Sequence, residues 1–89
     1  MIVKVVLGSM QRARKLVSIA ESIPYDVELC SGRYVVDAKS MLGVMSLPGF
    51  DVGELHIHTD NEDECDRILM QLFEEELLED SNNAVQRSI

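Results

Sequence analysis

The chain has 89 residues, of which 46% are hydrophobic and 27% are charged, and its formal net charge is −8 at pH 7. This size predicts one compact domain with a modest core. The charge argues against nucleic-acid binding, which relies on basic side chains that neutralise phosphates. Residues 1–40 hold six basic and four acidic side chains, whereas residues 41–89 hold two and twelve. An acidic domain of this kind suits protein partners with basic patches.

No pattern for a metal site, a membrane span or an enzyme is present in the sequence. Cys30 and Cys65 lack metal-type spacing, so we expect two buried thiols, no disulfide, no metal and no cofactor. No apolar run approaches membrane-spanning length, and the first residues lack a signal-peptide pattern, so a soluble, cytoplasmic protein is expected. No serine or cysteine has an evident base and no phosphate-binding glycine loop occurs, which predicts that the protein is not an enzyme.

The first half of the chain predicts a strand, a helix and a hairpin. The β-branched run at residues 2–7 predicts a strand. Ser9 then suits the N-cap of a helix over residues 10–22, which Pro24 ends. Val27 and Leu29 alternate with Glu28 and Cys30, and Val35 and Val36 follow a Ser-Gly turn, which together predict a β-hairpin over residues 27–37.

The second half predicts a short helix, a strand and a long helix. The short helix covers residues 40–47, and a loop opened by Pro48 leads to a strand over residues 54–59. The long helix runs over residues 62–78, with a fraying acidic end and a flexible tail at residues 81–89. Its predicted apolar stripe consists of Cys65, Ile68, Leu69, Leu72, Phe73 and Leu77.

The resulting order is β-α-β-β-α-β-α, within one domain over residues 1–80. Four strands in this order predict an α+β open-faced sandwich, with an antiparallel sheet packed against three helices on one face.

Residues 39–47, which read KSMLGVMSL, closely resemble the serine-containing segment of HPr, the phosphocarrier family of the bacterial sugar phosphotransferase system. The resemblance extends more weakly over residues 2–78. It implies the fold just described, and it implies a role in the phosphoenolpyruvate-dependent sugar phosphotransferase system.

The start of the first helix departs from the pattern of that family. HPr carries the phosphoryl group on a histidine there, in a His-Ala-Arg-Pro motif. Counting back from Ser40 without gaps places Ser9 at the histidine and Gln11 at the arginine, whereas matching the local Ala-Arg pair places Arg12 and Arg14 there. Neither alignment supplies an imidazole. The closest resemblance in character is therefore to the catabolite-repression HPr, which also lacks the histidine.

The two histidines of the chain, His56 and His58, lie in the predicted fourth strand. Side by side on its solvent-facing side, they are typical of an ordinary exposed sheet face. A relocated phosphorylation site there remains an alternative. No nearby cysteine or carboxylate pattern completes a metal site.

Ser40 is the first candidate site. The resemblance matches it to the regulatory serine that HPr kinase/phosphorylase modifies, and Lys39 next to it is a further candidate for partner binding. A phosphate there would stabilise the helix start and change partner preference. The alternative is that Ser40 is only an N-cap.

The residues after Ser40 form the second candidate site. The resemblance makes Met41, Leu42 and Met45 a partner-binding surface, since Val44 and Leu47 already supply an inward pair and thioethers adapt to several partners. The alternative is that the methionines fill the core.

Arg12, Arg14 and Lys15 form a basic cluster at the start of the first helix, where the helix dipole disfavours them. They are candidates for contact with an acidic partner or with a phosphate on Ser40. The alternative is a solvated charged face.

These observations predict an HPr-like regulatory or adaptor protein that lacks the phosphocarrier histidine and acts by protein contact, gated at Ser40. The implied partners are HPr kinase/phosphorylase and a transcription regulator or another phosphotransferase-system protein. The alternatives are a phosphocarrier with a relocated site and an interaction domain that works without phosphorylation.

Overall fold

A computed structural model of the protein describes residues 1–48, 51–79 and 85–86. One antiparallel sheet has the strand order β3-β2-β4-β1-β5, and three helices accompany it. The predicted α+β open-faced sandwich is confirmed, and a short fifth strand extends its sheet beside β1. The elements in chain order are β1 (Ile2–Val6), α1 (Met10–Glu21), β2 (Val27–Ser31), β3 (Tyr34–Asp37), α2 (Met41–Met45), β4 (Val52–Ile57), α3 (Glu62–Glu74) and β5 (Val85–Gln86).

The core lies between the sheet and the helices, and alternate residues of the central strands point into it. Val3 and Val5 of β1, Leu29 of β2 and Leu55 of β4 are fully buried, as the period of two in a strand requires when one face is covered. Every buried side chain among the described residues is apolar. In the same part of the chain, no helix combines the length and apolar character that a membrane crossing needs.

The start of β4 differs from the prediction. The strand covers Val52–Ile57 rather than residues 54–59, because Gly53, which the sequence suggests as a loop residue, pairs with Val5 in the ladder between β4 and β1. A Cβ atom on Gly53 would lie 3.0 Å from Leu29 Cδ1 and 3.1 Å from the Cys30 carbonyl oxygen. This glycine therefore reflects a close approach within the sheet, not a turn.

α3 ends at Glu74, earlier than predicted, in a Schellman motif. The Leu77 N–H donates to the Leu72 carbonyl over 2.9 Å, and the Glu76 N–H donates to the Phe73 carbonyl over 3.0 Å. Glu76 has a φ of 59°, which favours glycine. The acidic residues that oppose the dipole thus mark the end of the helix, while Leu77 turns back into the core.

The chain after α3 runs along the edge of β1. The Val6 N–H donates to the Leu77 carbonyl over 2.7 Å, Leu78 bridges to Val5, and the Glu79 N–H donates to the Lys4 carbonyl over 3.1 Å. β5 pairs with the beginning of the same strand. Of the predicted tail, only Val85–Gln86 is described, and residues 80–84 and 87–89 lie outside the described residues, as do residues 49–50 of the predicted loop.

Three expectations about side-chain burial have mixed outcomes. Cys65 is buried as predicted, but Cys30 is only half-buried, because it lies on the open side of the sheet. Phe73, which was expected in the apolar stripe of α3, is 71% exposed, and the neighbouring Met70 is 62% exposed. Successive helical residues turn by about 100°, which places Phe73 on the flank of the face formed by Cys65 and Leu72.

Replacing Glu76 with glycine is expected to raise the free energy of unfolding by about 1 kcal/mol. The substitution removes the cost of a left-handed conformation at a residue with a Cβ atom, and the backbone hydrogen bonds of the motif remain. Urea denaturation measures this change. The control is Gln71→Gly, at an exposed position inside α3, which is expected to lower the stability by about 0.5 to 1 kcal/mol. A loss of stability in Glu76→Gly would contradict the assigned conformation.

Candidate functional site

The loop between β1 and α1 occupies the position at which the family resemblance expects a phosphorylated histidine. Gly8 has a φ of 102°, and Ser9 follows as the N-cap, its hydroxyl accepting from the Arg12 N–H over 3.1 Å. The Leu7 N–H donates to the Asp51 carbonyl over 2.6 Å, and a Cβ atom on Gly8 would lie 3.7 Å from a carboxylate oxygen of Asp51. A carboxylate therefore stands beside this loop, which opposes the binding of an anion.

The predicted basic cluster is largely occupied by contacts with the end of α3. Arg12 donates from Nη1 to the Glu76 carbonyl over 3.2 Å. Lys15 Nζ lies 3.2 Å from Glu75 Oε2 in an ion pair whose two side chains are about half exposed. Arg14 is exposed, and no partner for its guanidinium is found among the described residues. Of the three basic side chains, Arg14 is thus the one left open to solvent.

Ser40 is the N-cap of α2, as predicted. Its hydroxyl is half-buried and accepts a hydrogen bond from the Gly43 N–H over 3.2 Å. Lys39 next to it is directed elsewhere, because its ammonium donates to the Ile23 carbonyl over 2.8 Å. The Lys39 N–H donates to Asp37 Oδ1 over 2.9 Å. These contacts fix the backbone that enters α2 and leave the Ser40 hydroxyl without a neighbouring basic group from Lys39.

The residues after Ser40 divide between the core and solvent. Val44 and Leu47 are buried, as predicted for the inward pair, and Met41 is half-buried against the core. Leu42 is 85% exposed and Met45 is 44% exposed. α2 has five residues, so little more than one turn is available to present both faces. We call the exposed part, formed by Ser40, Leu42 and Met45, the α2 surface.

The helix that carries the α2 surface packs against α1. Met10, the first residue of α1, is 51% exposed. The sequence suggests Met10 as part of the apolar face of α1. Its exposure follows from its place in the first turn, next to the solvent-exposed loop residues Gly8 and Ser9.

His56 and His58 each have a carboxylate partner on or beside the sheet. His56 Nε2 lies 3.3 Å from Glu54 Oε1, and His58 Nε2 lies 2.8 Å from Glu28 Oε1. His56 is half-buried, whereas His58 follows the end of β4 and is exposed. No group of three histidine, cysteine or acidic side chains suited to a metal ion is found among the described residues.

Cys30 lies on the same open side of the sheet, opposite Glu54 in the ladder between β2 and β4. Partial burial raises the pKa of its thiol, and the negative charges of Glu28 and Glu54 raise it further. A raised pKa keeps the sulfur protonated and poorly nucleophilic near neutral pH. Cys30 is therefore not an activated nucleophile.

The sequence did not indicate the partners of the basic cluster or the carboxylate beside Gly8. Glu75 and the Glu76 carbonyl are more than 60 residues away from Arg12. Asp51 follows a loop, and sequence patterns do not predict the path of that loop. The only available signal was opposite charge, with basic residues at the start of α1 and acidic residues after α3.

Comparison with known proteins identifies one family. A family model described as the PTS HPr component phosphorylation site matches residues 3–74. The match begins in β1 and ends at the last residue of α3, so it includes both the start of α1 and the α2 surface. No curated protein matches the chain.

Proposed function

Because the chain belongs to the HPr family, we propose that it is a regulatory or adaptor protein of the sugar phosphotransferase system that acts by contact through the α2 surface. The observation that carries this proposal is the exposure of Leu42 and Met45 directly beside the capping hydroxyl of Ser40. Exposed apolar side chains on a short helix contribute little to stability, and their exposure suits binding to another protein.

The start of α1 supports a role other than that of a phosphocarrier. Gly8 through Arg12 contain no histidine, and the side chain at the N-cap is the hydroxyl of Ser9. The Arg12 guanidinium donates to the Glu76 carbonyl, so it is directed to the end of α3 and not to a phosphoryl group at this loop. The carboxylate of Asp51 beside the loop adds repulsion. These features favour loss of the phosphocarrier chemistry.

A relocated phosphorylation site on the sheet is the less favoured alternative. The Nε2 atoms of His56 and His58 both lie within hydrogen-bond distance of a glutamate. A phosphoryl group on either nitrogen would replace that hydrogen bond with repulsion between two anions. No helix begins at these histidines to stabilise the added charge.

Phosphorylation of Ser40 is the proposed gate. A phosphate there would replace the hydroxyl as acceptor for the amides of the first turn of α2 and would add about −1.5 to −2 charges beside Leu42. Lys39 is bonded to the Ile23 carbonyl, so the main stabilisation would come from backbone amides. The change would turn an apolar surface into one with an acidic edge, and the surface would then select different partners. HPr kinase/phosphorylase and a transcription regulator are the proposed partners.

Incubation with HPr kinase/phosphorylase and ATP tests the gate. Intact mass is expected to rise by one phosphoryl group in the wild-type chain and in Ser46→Ala, but not in Ser40→Ala. Ser46 is a matched control because it is the exposed C-cap of the same helix, and its hydroxyl donates to the Gly43 carbonyl over 2.7 Å.

If the wild-type chain gains no mass that depends on Ser40, the gate is wrong and the interaction domain without phosphorylation becomes the better account. The variant Ser40→Ala also measures how much the N-cap stabilises the protein. Ser40→Ala is expected to lose about 1 kcal/mol of stability, so the assay is run well below its unfolding temperature.

A further inference from the structure

We infer that the outer face of α3 is a second docking surface, and that it binds a basic amphipathic helix of a partner protein. This inference goes beyond the proposed function, since it concerns a different helix and a different class of partner sequence. The α3 outer face, as we define it, consists of Asp63, Asp66, Arg67, Met70, Phe73 and Glu74. Their spacing of three, one, three, three and one residues places them on one side of a helix.

Two large apolar side chains lie at the centre of this face. Met70 is 62% exposed and Phe73 is 71% exposed, and they are three residues apart, so they are neighbours on the helix surface. The buried side of α3, formed by Cys65, Ile68 and Leu72, already attaches the helix to the core. Met70 and Phe73 are therefore not required for that attachment. A phenylalanine with this exposure is typical of a binding surface more than of a folding contact.

Carboxylates surround the apolar pair. Asp63 and Glu74 are exposed, and they lie seven residues before and four residues after Met70. The single basic residue of α3, Arg67, shares this side of the helix, because it lies four residues after Asp63 and three before Met70, and its Nη2 atom is 3.9 Å from Glu64 Oε1. The α3 outer face is apolar at its centre and carries a net negative charge at its margins, because Asp63, Asp66 and Glu74 outnumber this one arginine.

The negative charge of the α3 outer face decides which class of partner can bind there. A second copy of the chain in a symmetric pair would bring acidic margins against acidic margins, and the net charge of −8 opposes close approach of two chains. Nucleic acids and anionic membranes are repelled for the same reason. A helix with apolar residues flanked by lysine or arginine complements both parts of the face.

The charge around the α2 surface is opposite in sign to the charge around the α3 outer face. The α2 surface packs beside α1, whose first turns contain Arg12, Arg14 and Lys15, whereas the first and last turns of α3 are acidic. α1 contacts both α2 and α3. The two surfaces therefore select different partner charges, and a chain with both surfaces can connect two proteins.

The test uses a synthetic helical peptide with leucines along one face and lysines beside them, titrated into the full-length chain. Amide chemical shifts are expected to change along α3, and Phe73→Ser and Met70→Ser are expected to weaken binding by about tenfold or more. Val35→Ser, at a 57% exposed position in β3 that belongs to neither surface, is the control and is expected to bind as the wild-type chain does. Circular dichroism confirms that each variant is folded.

Two further peptides distinguish the contribution of the apolar pattern to binding from the contribution of the charge. A scrambled peptide of the same composition and a peptide with glutamates in place of the lysines are both expected to bind at least about tenfold more weakly. Equal binding of the scrambled peptide, shifts confined to α2, or no binding at all would overturn the inference. Self-association of the free chain that Phe73→Ser abolishes would also overturn it, in favour of a second copy.

Discussion

Truncation of Leu77 to alanine is expected to lower the free energy of unfolding by about 2 to 5 kcal/mol. Leu77 is fully buried although it lies beyond the end of α3. Its N–H donates to the Leu72 carbonyl, and its carbonyl accepts from the Val6 N–H. The side chain therefore stabilises the turn that ends α3 and the segment that covers the edge of β1. Its removal leaves a cavity where these parts meet.

Urea denaturation with linear extrapolation measures this loss. Leu42→Ala is the matched control, because the same truncation at an 85% exposed position is expected to change the stability by less than about 0.5 kcal/mol. A loss below about 1 kcal/mol in Leu77→Ala would mean that the residue does not hold the end of α3 in the core. An equal loss in both variants would contradict the exposure of α2.

Substitution of Leu42 by aspartate is expected to weaken binding to HPr kinase/phosphorylase by about 30-fold or more, the size of a hot-spot effect. A carboxylate at the centre of the α2 surface has to lose its water shell when a partner covers it. Val44 and Leu47 still hold α2 in the core, so the fold is expected to persist. Met45→Asp tests the same surface at its second exposed apolar residue.

Isothermal titration calorimetry measures this binding, and Met70→Asp on α3 is the matched control. Met70 is also exposed and gains the same charge, so retained binding in this variant shows that the position of the charge matters. Wild-type affinity in both Leu42→Asp and Met45→Asp would place the kinase interface away from the α2 surface.

Sequence patterns predicted most of the architecture because its signals are local. Ser9 and Pro24 bracket α1, and the turn predicted at Ser31 and Gly32 lies one residue later, at Gly32 and Arg33, between β2 and β3. Ser40 was correctly expected to cap α2, since a hydroxyl before a short apolar helix has few other local roles. Each of these features depends on residues within a few positions of one another.

The differences arise where distant residues decide the outcome. Gly53 lies in a strand because β1 and β2 pair with β4 on either side, and no local pattern distinguishes this glycine from a loop glycine. α3 ends early because Leu77 fits the core better after a turn than in a longer helix. β5 pairs with the opposite end of the chain.

In the candidate site, too, local features were largely predicted, whereas contacts between distant residues were not. The inward role of Val44 and the outward role of Leu42 were both predicted, whereas Met41, which was predicted on the same outer surface, is half-buried against the core. The basic side chains at the start of α1 were predicted as a free cluster. Their contacts to Glu75 and the Glu76 carbonyl depend on how α1 and α3 pack, which the charge pattern alone could not define.

The central claim is that this member of the HPr family acts by contact and does not carry a phosphoryl group on a histidine. Its most direct test is incubation of the chain with phosphoenolpyruvate and enzyme I of the phosphotransferase system, followed by intact mass measurement before and after acid treatment. A histidine-bearing HPr serves as the positive control. We expect the control to gain an acid-labile phosphoryl group and this chain to remain unmodified. An acid-labile phosphoryl adduct on this chain, lost in His56→Ala or His58→Ala, would contradict the claim and establish a relocated phosphocarrier site.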